Sequence, residues 1–244
     1  MAQLDVVSLG ESMYEFSQLP GESRKWLQGF GGDTMNCVLA AARQGARVGY
    51  VTRLGQDEFG AQLLALWRDE GIDVSGVGID PEAHTAVYFV SHGPNGHVFS
   101  YLRAGSAASR MRADHLPLEL IRKAKFFHTS GITQAISTTA CDAVFAAIEC
   151  ARAAGVRVAY DANLRLRLWS LPRARATILA TIPLSDVFLV SIDEAQTLCS
   201  LGDPEQVVTW CHQQGARLVA LKLGKDGAIG SDGTRRERLA GHGV

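Results

Sequence analysis

Short apolar runs alternate with stretches of helical periodicity along nearly the whole chain. That alternation restricts the fold more than any other feature of the sequence. Leu4–Leu9 is an apolar run closed by Gly10 and reads as a buried strand. From Asp33 to Gln44 the apolar residues Met35, Val38, Leu39 and Ala42 recur on one helical face, and Gly45 closes the helix. Arg47–Leu54 is the next strand. Asp57 caps a second helix that carries Phe59, Leu63, Leu66 and Trp67 and ends at Gly71. Buried strands are expected at 125–129, 156–160, 187–190 and 218–221, with helices near 136–154, 172–181, 193–200 and 204–214. A repeating strand–helix order predicts an α/β fold, a parallel sheet with helices on both faces.

One segment departs from this order. Thr85–Ser91 and His97–Arg103 are strand-like runs joined by His92-Gly93-Pro94-Asn95-Gly96, whose turn residues predict an antiparallel hairpin. Such a hairpin projects from a parallel sheet as a plain edge, a lid or a dimer contact. The 244 residues suit one large domain or one and a half, and no linker divides them.

Composition excludes several classes of function. With 24 basic against 25 acidic side chains, nothing favours nucleic acid as a partner. Five cysteines (37, 141, 150, 199 and 211) form no CxxC pair, and an odd count argues against a disulfide framework. Cys37, Cys141 and Cys150 lie in apolar helical stretches and read as small buried hydrophobes. No basic leader and no 18-residue apolar run is visible, so the expectation is a cytoplasmic protein with no membrane association. There is no GxxxxGK[ST] loop, no GxGxxG after the first strand and no GxSxG turn.

Two stretches concentrate chemistry. Phe30-Gly31-Gly32-Asp33-Thr34-Met35-Asn36 opens the first long helix. Its glycines permit close backbone approach of a ligand, and Asp33 with Asn36 offers an acceptor and a donor–acceptor that suit vicinal sugar hydroxyls. Asp33 also reads as a plain N-cap. Asp161-Ala162-Asn163-Leu164-Arg165-Leu166-Arg167-Leu168-Trp169 follows a buried strand, and strand C-terminal ends are where open α/β sheets bind ligands. Arginine there suits a carboxylate or phosphate, or else the stretch is a solvated loop. Arg167 reads as a structural or surface residue.

These stretches, taken with others, resemble the PfkB (ribokinase-like) family of carbohydrate kinases, and within it the 2-keto-3-deoxygluconate kinases. The resemblance is carried by Gly10-Glu11-Ser12-Met13, FGGDTMN (30–36), AAARQGARVGYVTRLGQDEFG (40–60), AVYFV (86–90) and FSYLRAGSAAS (99–109). It continues through TSGITQAIS (129–137), DANLRLRLW (161–169), SIDEA (191–195) and LKLGKDGA (221–228), in the right order along essentially the whole chain.

The resemblance implies a ribokinase-like, Rossmann-type α/β fold with a mostly parallel sheet and a small β lid, formed by roughly 12–30 and 84–103, that closes the sugar site and serves a homodimer. It implies ATP and Mg²⁺, and transfer to the primary 6-hydroxyl of an acid sugar. Gly32, Asp33, Asn36, Asp161 and Asn163 would hold the sugar. Tyr88 and Tyr101 would line the pocket from the lid, or else pack across the strands. Arg103 and Arg165 would address the sugar's carboxylate and the transferring phosphate, with a strand-end surface charge as the alternative for Arg103. Ser191, Asp193, Glu194, Lys222, Gly224 and Gly227 would approach the nucleotide. Glu194 would reach the metal through water, with no direct metal ligand assigned. The alternatives are helix capping for Ser191, favourable charge in a helix's first turn for the acids, and a simple turn for the glycines.

The family's GAGD-type motif, whose Asp is the base, does not occur in these 244 residues, which end RLAGHGV after an expected edge strand. The expectation is therefore a C-terminally incomplete domain, nearly inactive by itself, with uncovered apolar surface. Leu164 and Leu166 stand where relatives often carry Tyr or Pro. The alternatives are another sugar kinase of the family, for ribose or fructose, or a non-catalytic sugar-binding or dimerising fragment.

Overall fold

In the computed structural model, residues 3–93 and 96–241 are described. The chain runs through β1 (Leu4–Leu9), β2 (Met13–Leu19), β3 (Glu22–Gly31), α1 (Asp33–Arg43), β4 (Val48–Gly55), α2 (Glu58–Asp69) and β5 (Asp73–Asp80). It continues with β6 (Val87–Gly93), β7 (Gly96–Leu102), α3 (Leu118–Arg122), β8 (Ala124–Ser130), α4 (Gly131–Ala135), α5 (Thr138–Ala153) and β9 (Arg157–Asp161). The last elements are α6 (Leu171–Thr181), β10 (Val187–Ser191), α7 (Ile192–Cys199), α8 (Pro204–Gln213), β11 (Leu218–Lys222), β12 (Ala228–Ser231) and β13 (Arg236–Leu239).

The elements begin where the sequence supplies caps. The Asp57 carboxylate accepts the Gly60 amide at 2.8 Å, Ser137 Oγ accepts that of Ala140 at 3.0 Å, and Asp203 that of Gln206 at 2.9 Å. Pro204 then occupies the first turn of α8, where a missing N–H costs nothing.

The described strands form two sheets. Nine make the main sheet in the order β13-β12-β11-β10-β9-β8-β1-β4-β5, parallel from β11 to β5, with β12 and β13 antiparallel at one edge. Four make a smaller sheet in the order β3-β2-β6-β7. Its β6–β7 pair is the antiparallel hairpin expected from the sequence. Pro94 and Asn95 of the expected turn, and His242–Val244 of the terminal stretch, lie outside the described residues.

Alternation along each strand sorts the side chains of the main sheet onto two faces. Val7, Leu9, Phe127 and Val158 pack under α5. Continuing that face, Tyr160, Phe188, Val190, Val219 and Leu221 pack under α6, α7 and α8. On the opposite face, Val48 and Tyr50 pack against Met35 and Val38 of α1 and Leu63 and Trp67 of α2. Helices thus lie on both faces, but unevenly. Beyond β8 the second face carries Ala159, Val187, Leu189 and Ala220, which stay half-buried. Cys141 and Cys211 are buried, whereas Cys37 and Cys150, expected inside, are half-buried; all five thiols are free.

The smaller sheet is fastened to the main body by aromatic packing. Phe59 of α2 sits 4.9 Å from Tyr14 and 5.9 Å from Phe16 of β2, centroid to centroid. Its other face looks over the C-terminal ends of the parallel strands.

Candidate active site

Loops after the parallel strands converge under the smaller sheet, where an open α/β sheet binds ligands. They enclose a cleft of about 510 Å³. The main body supplies Glu11, Gly32, Asp33, Asn36, Ile132, Asn163, Arg165 and Arg167. The smaller sheet and the loop after it supply Met13, Tyr88, Phe99, Tyr101, Arg103 and Ala104.

Asp33 is not the cap of α1. Gly32 is the N-cap, at φ 140°, and makes no side-chain cap bond. A Cβ there would stand 2.5 Å from the Glu11 carbonyl oxygen, so the bend needs glycine on both counts. The freed Asp33 carboxylate instead accepts from Asn163 Nδ2 at 2.7 Å. Asn163 itself holds a left-handed backbone, φ 30°, that turns its amide into the cleft. Asn36 lies one turn along α1, exposed on the cleft wall.

Tyr88 and Tyr101 do both things expected of them. They face the cleft and stack across β6 and β7 with centroids 5.9 Å apart. Tyr88 donates its hydroxyl to Glu15, and burial followed by that carboxylate raises its pKa. Arg103 is not a surface charge. It pairs with Glu11, which is 1% exposed, and Ser106 Oγ donates to the same carboxylate at 3.4 Å. Burial pushes the Glu11 carboxyl above its usual range, against the opposing pull of Arg103.

A second set of residues lies beside the cleft and does not line it. Asp161 accepts from Lys222 Nζ through both oxygens at 2.9 Å, which joins the ends of β9 and β11. Glu194 and Ser191 form a complete capping box at α7, with Ser191 N donating to Glu194 at 2.7 Å. Glu194 also accepts the Leu164 amide at 2.9 Å and stands 3.9 Å from Arg165 Nη1. It therefore braces the 161–169 loop. Asp193 is exposed in the first turn of α7. Gly224 and Gly227 belong to the turn between β11 and β12, where a Cβ on Gly227 would strike the backbone after β13. The structure thus gathers Asp161, Lys222, Ser191 and Glu194 but leaves both glycines in a separate turn.

Sequence reasoning missed Glu11, although it lies inside a quoted motif, because nothing local marks it as the partner of Arg103. It also set Arg167 aside as structural or surface, whereas Arg167 lines the cleft. Beneath the cleft His128 accepts or shares a proton with Ser8 Oγ at 2.8 Å. Burial holds its pKa down, against the opposing pull of Asp33 and Asp161.

The sequence profile of the pfkB family carbohydrate kinases matches residues 3–241. The chain is 34% identical over 236 residues to the 2-dehydro-3-deoxygluconokinase of Thermoproteus tenax, covering 93% of this chain and 71% of that one. It is 35% identical over 233 residues to probable fructokinase-2 of Arabidopsis thaliana, covering 91% and 70%. The crystal structure of a PfkB protein from Polaromonas sp. JS666 superimposes with a TM-score of 0.93 at 33% identity, over 99% of this chain and 83% of that one.

Proposed function

Because the chain belongs to the pfkB family of carbohydrate kinases, we propose that its acceptor is 2-keto-3-deoxygluconate, phosphorylated on the primary 6-hydroxyl with ATP as donor. The carrying observation is the charge of the cleft. Three guanidiniums, Arg103, Arg165 and Arg167, face two carboxylates, Glu11 and Asp33. An excess of positive charge suits an acid sugar better than a neutral one. The 2-dehydro-3-deoxygluconokinase of Thermoproteus tenax supports the same reading, and the Arabidopsis fructokinase marks fructose as its main competitor.

Phosphoryl transfer asks a protein mainly for positioning and charge stabilisation. In this reading Asp33, Asn36, Asn163 and the Gly32 backbone hold the hydroxyls, while Tyr88 and Tyr101 close the cleft from above as a lid. Arg165 is set by its bond to the Leu164 carbonyl oxygen and by Glu194 to face the transferring phosphate. Lys222 and the Ser191–Glu194 turn face the nucleotide side. Glu11, Asp33 and Asp161 each already have a partner, so no proton acceptor is assigned among them.

Among the described residues, no three His, Cys, Asp or Glu side chains gather closely enough to hold a metal. In this reading a magnesium ion would arrive with the triphosphate and keep most of its waters, with Glu194 and Asp193 addressing it through them. The ion would neutralise phosphate charge. No described helix is long and apolar enough to cross a membrane. In this reading the protein works in the cytoplasm, where ATP is supplied. The apolar side chains exposed on the smaller sheet, Leu27, Val98 and Leu102 among them, suit a second copy of the chain, and sedimentation should show a dimer.

Calorimetry of the chain with 2-keto-3-deoxygluconate, its galactonate epimer, fructose and ribose tests the acceptor, alongside ADP release with each. The gluconate series should bind most tightly. Binding of fructose or ribose without the sugar acids would overturn the acceptor and leave the family untouched.

A further inference from the structure

We propose that Arg167 selects the charge of the acceptor, binding the carboxylate of a sugar acid in a bidentate pair. The inference rests on the acid-sugar reading and names the residue that carries it.

The three guanidiniums of the cleft are not equivalent. Arg103 is cancelled by Glu11, a carboxylate 1% exposed. Its Nε is itself buried without a partner, so no ligand reaches that edge. Drawing Arg103 away to a substrate would strand a buried carboxylate, which is strongly unfavourable. Arg103 therefore adds hydrogen-bonding capacity to the cleft and no net charge. Arg165 donates to the Leu164 carbonyl oxygen at 2.9 Å and lies 3.9 Å from Glu194, so its charge is partly answered too.

Arg167 differs from both. It lines the same cleft, and among the described residues it has no acidic partner. Two residues beyond Arg165, it belongs to the short turn closed by the Leu168 amide bonding to the Arg165 carbonyl oxygen at 2.9 Å. An exposed arginine keeps its hydration, so little is lost while the cleft is empty. An entering carboxylate gains a planar partner with two parallel donors. Of the three guanidiniums of the cleft, Arg167 is thereby the one without a carboxylate of its own, on a side chain free to meet a ligand.

The test is titration calorimetry on wild type, Arg167→Ala and Arg167→Lys with 2-keto-3-deoxygluconate and with fructose, at low and high salt. Arg167 is exposed, and thermal melting of each variant checks that it folds as wild type does. Arg167→Ala should weaken the sugar acid about 10- to 100-fold, the worth of a hydrogen bond to a charged group. It should also flatten the salt dependence and leave fructose within about twofold, since a neutral sugar makes no charged pair there. Arg167→Lys should recover part of the loss. Wild-type binding of the sugar acid that Arg167→Ala does not weaken overturns the assignment and keeps the acid-sugar reading. Loss of both ligands alike makes Arg167 a general cleft residue and also overturns it. A wild type that binds fructose and refuses the sugar acid removes the acid-sugar reading, and Arg167's role with it.

Discussion

Glu11 shows how far a single residue's meaning depends on distant chain. It follows β1, is 1% exposed, and meets Arg103 from the end of β7. Ser106 adds a third contact. Removing one member of a buried pair leaves the other uncompensated, at a cost of about 3–5 kcal/mol. Glu11→Ala should therefore lower the unfolding free energy read from chemical denaturation by that amount. The double change Glu11→Ala, Arg103→Met should recover much of it, because no orphan charge remains. Additive losses in that double-mutant cycle would mean that the pair contributes nothing beyond its separate side chains. The sequence displays Glu11 and Arg103 plainly but not their contact, which exists only once the smaller sheet folds over the larger. The Ser191–Glu194 box was legible by contrast, since a cap and its return partner three residues on are local chemistry.

At the scale of elements, periodicity located those whose packing writes a pattern. Strands β1, β4, β6 to β11, and helices α1, α2 and α5 to α8, stand close to where the sequence pattern placed them. β3 and β5 escaped periodicity. β3 reads ESRKWLQGFG and lies exposed along most of its length, while β5 reads DVSGVGID, mostly half-buried with glycines at 76 and 78, and neither alternates cleanly. Family resemblance, not pattern, pointed to 12–30.

One element contact carries a pH signature. The Asp5 carboxylate in β1 accepts the Arg47 amide at 2.8 Å and pairs with Lys125 of β8 at 2.8 Å, tying three neighbouring strands at their N-terminal ends. The bond to Lys125, then that to Arg47, lowers its pKa from 3.8 to about 2. A carboxyl with a depressed folded pKa binds a proton on unfolding. Its contribution is complete above pH 3.8 and drains away as pH falls toward 2. Urea midpoints measured down that window should fall less steeply in Asp5→Asn than in wild type. Parallel slopes would show that Asp5 does not couple the strands to acid.

Across the whole molecule, the alternation of the main sheet becomes a difference between its two faces. Phe188 and Leu189 are neighbours on β10 and point to opposite sides. Phe188 is fully buried under the α6–α8 layer and stacks on Tyr160 with centroids 6.1 Å apart. Leu189 points to the half-buried face beyond β8, among Ala159, Val187 and Ala220. The sequence shows both as apolar members of one short run and cannot separate them. Only the count of layers above each face does so. A large-to-small change in a closed core costs the lost transfer energy and a cavity, whereas a half-open site loses less of the first and forms none of the second. Phe188→Ala should cost about 3–5 kcal/mol, and Leu189→Ala about 1 kcal/mol, close to the centre of ordinary substitutions. Chemical denaturation of the two variants under one set of conditions reads the difference. Equal losses would mean that the second face is as closed as the first in solution. A second copy of the chain seated on that face would produce the same result, and the Leu189→Ala loss would then grow with protein concentration, because occupation by a partner adds to stability by mass action.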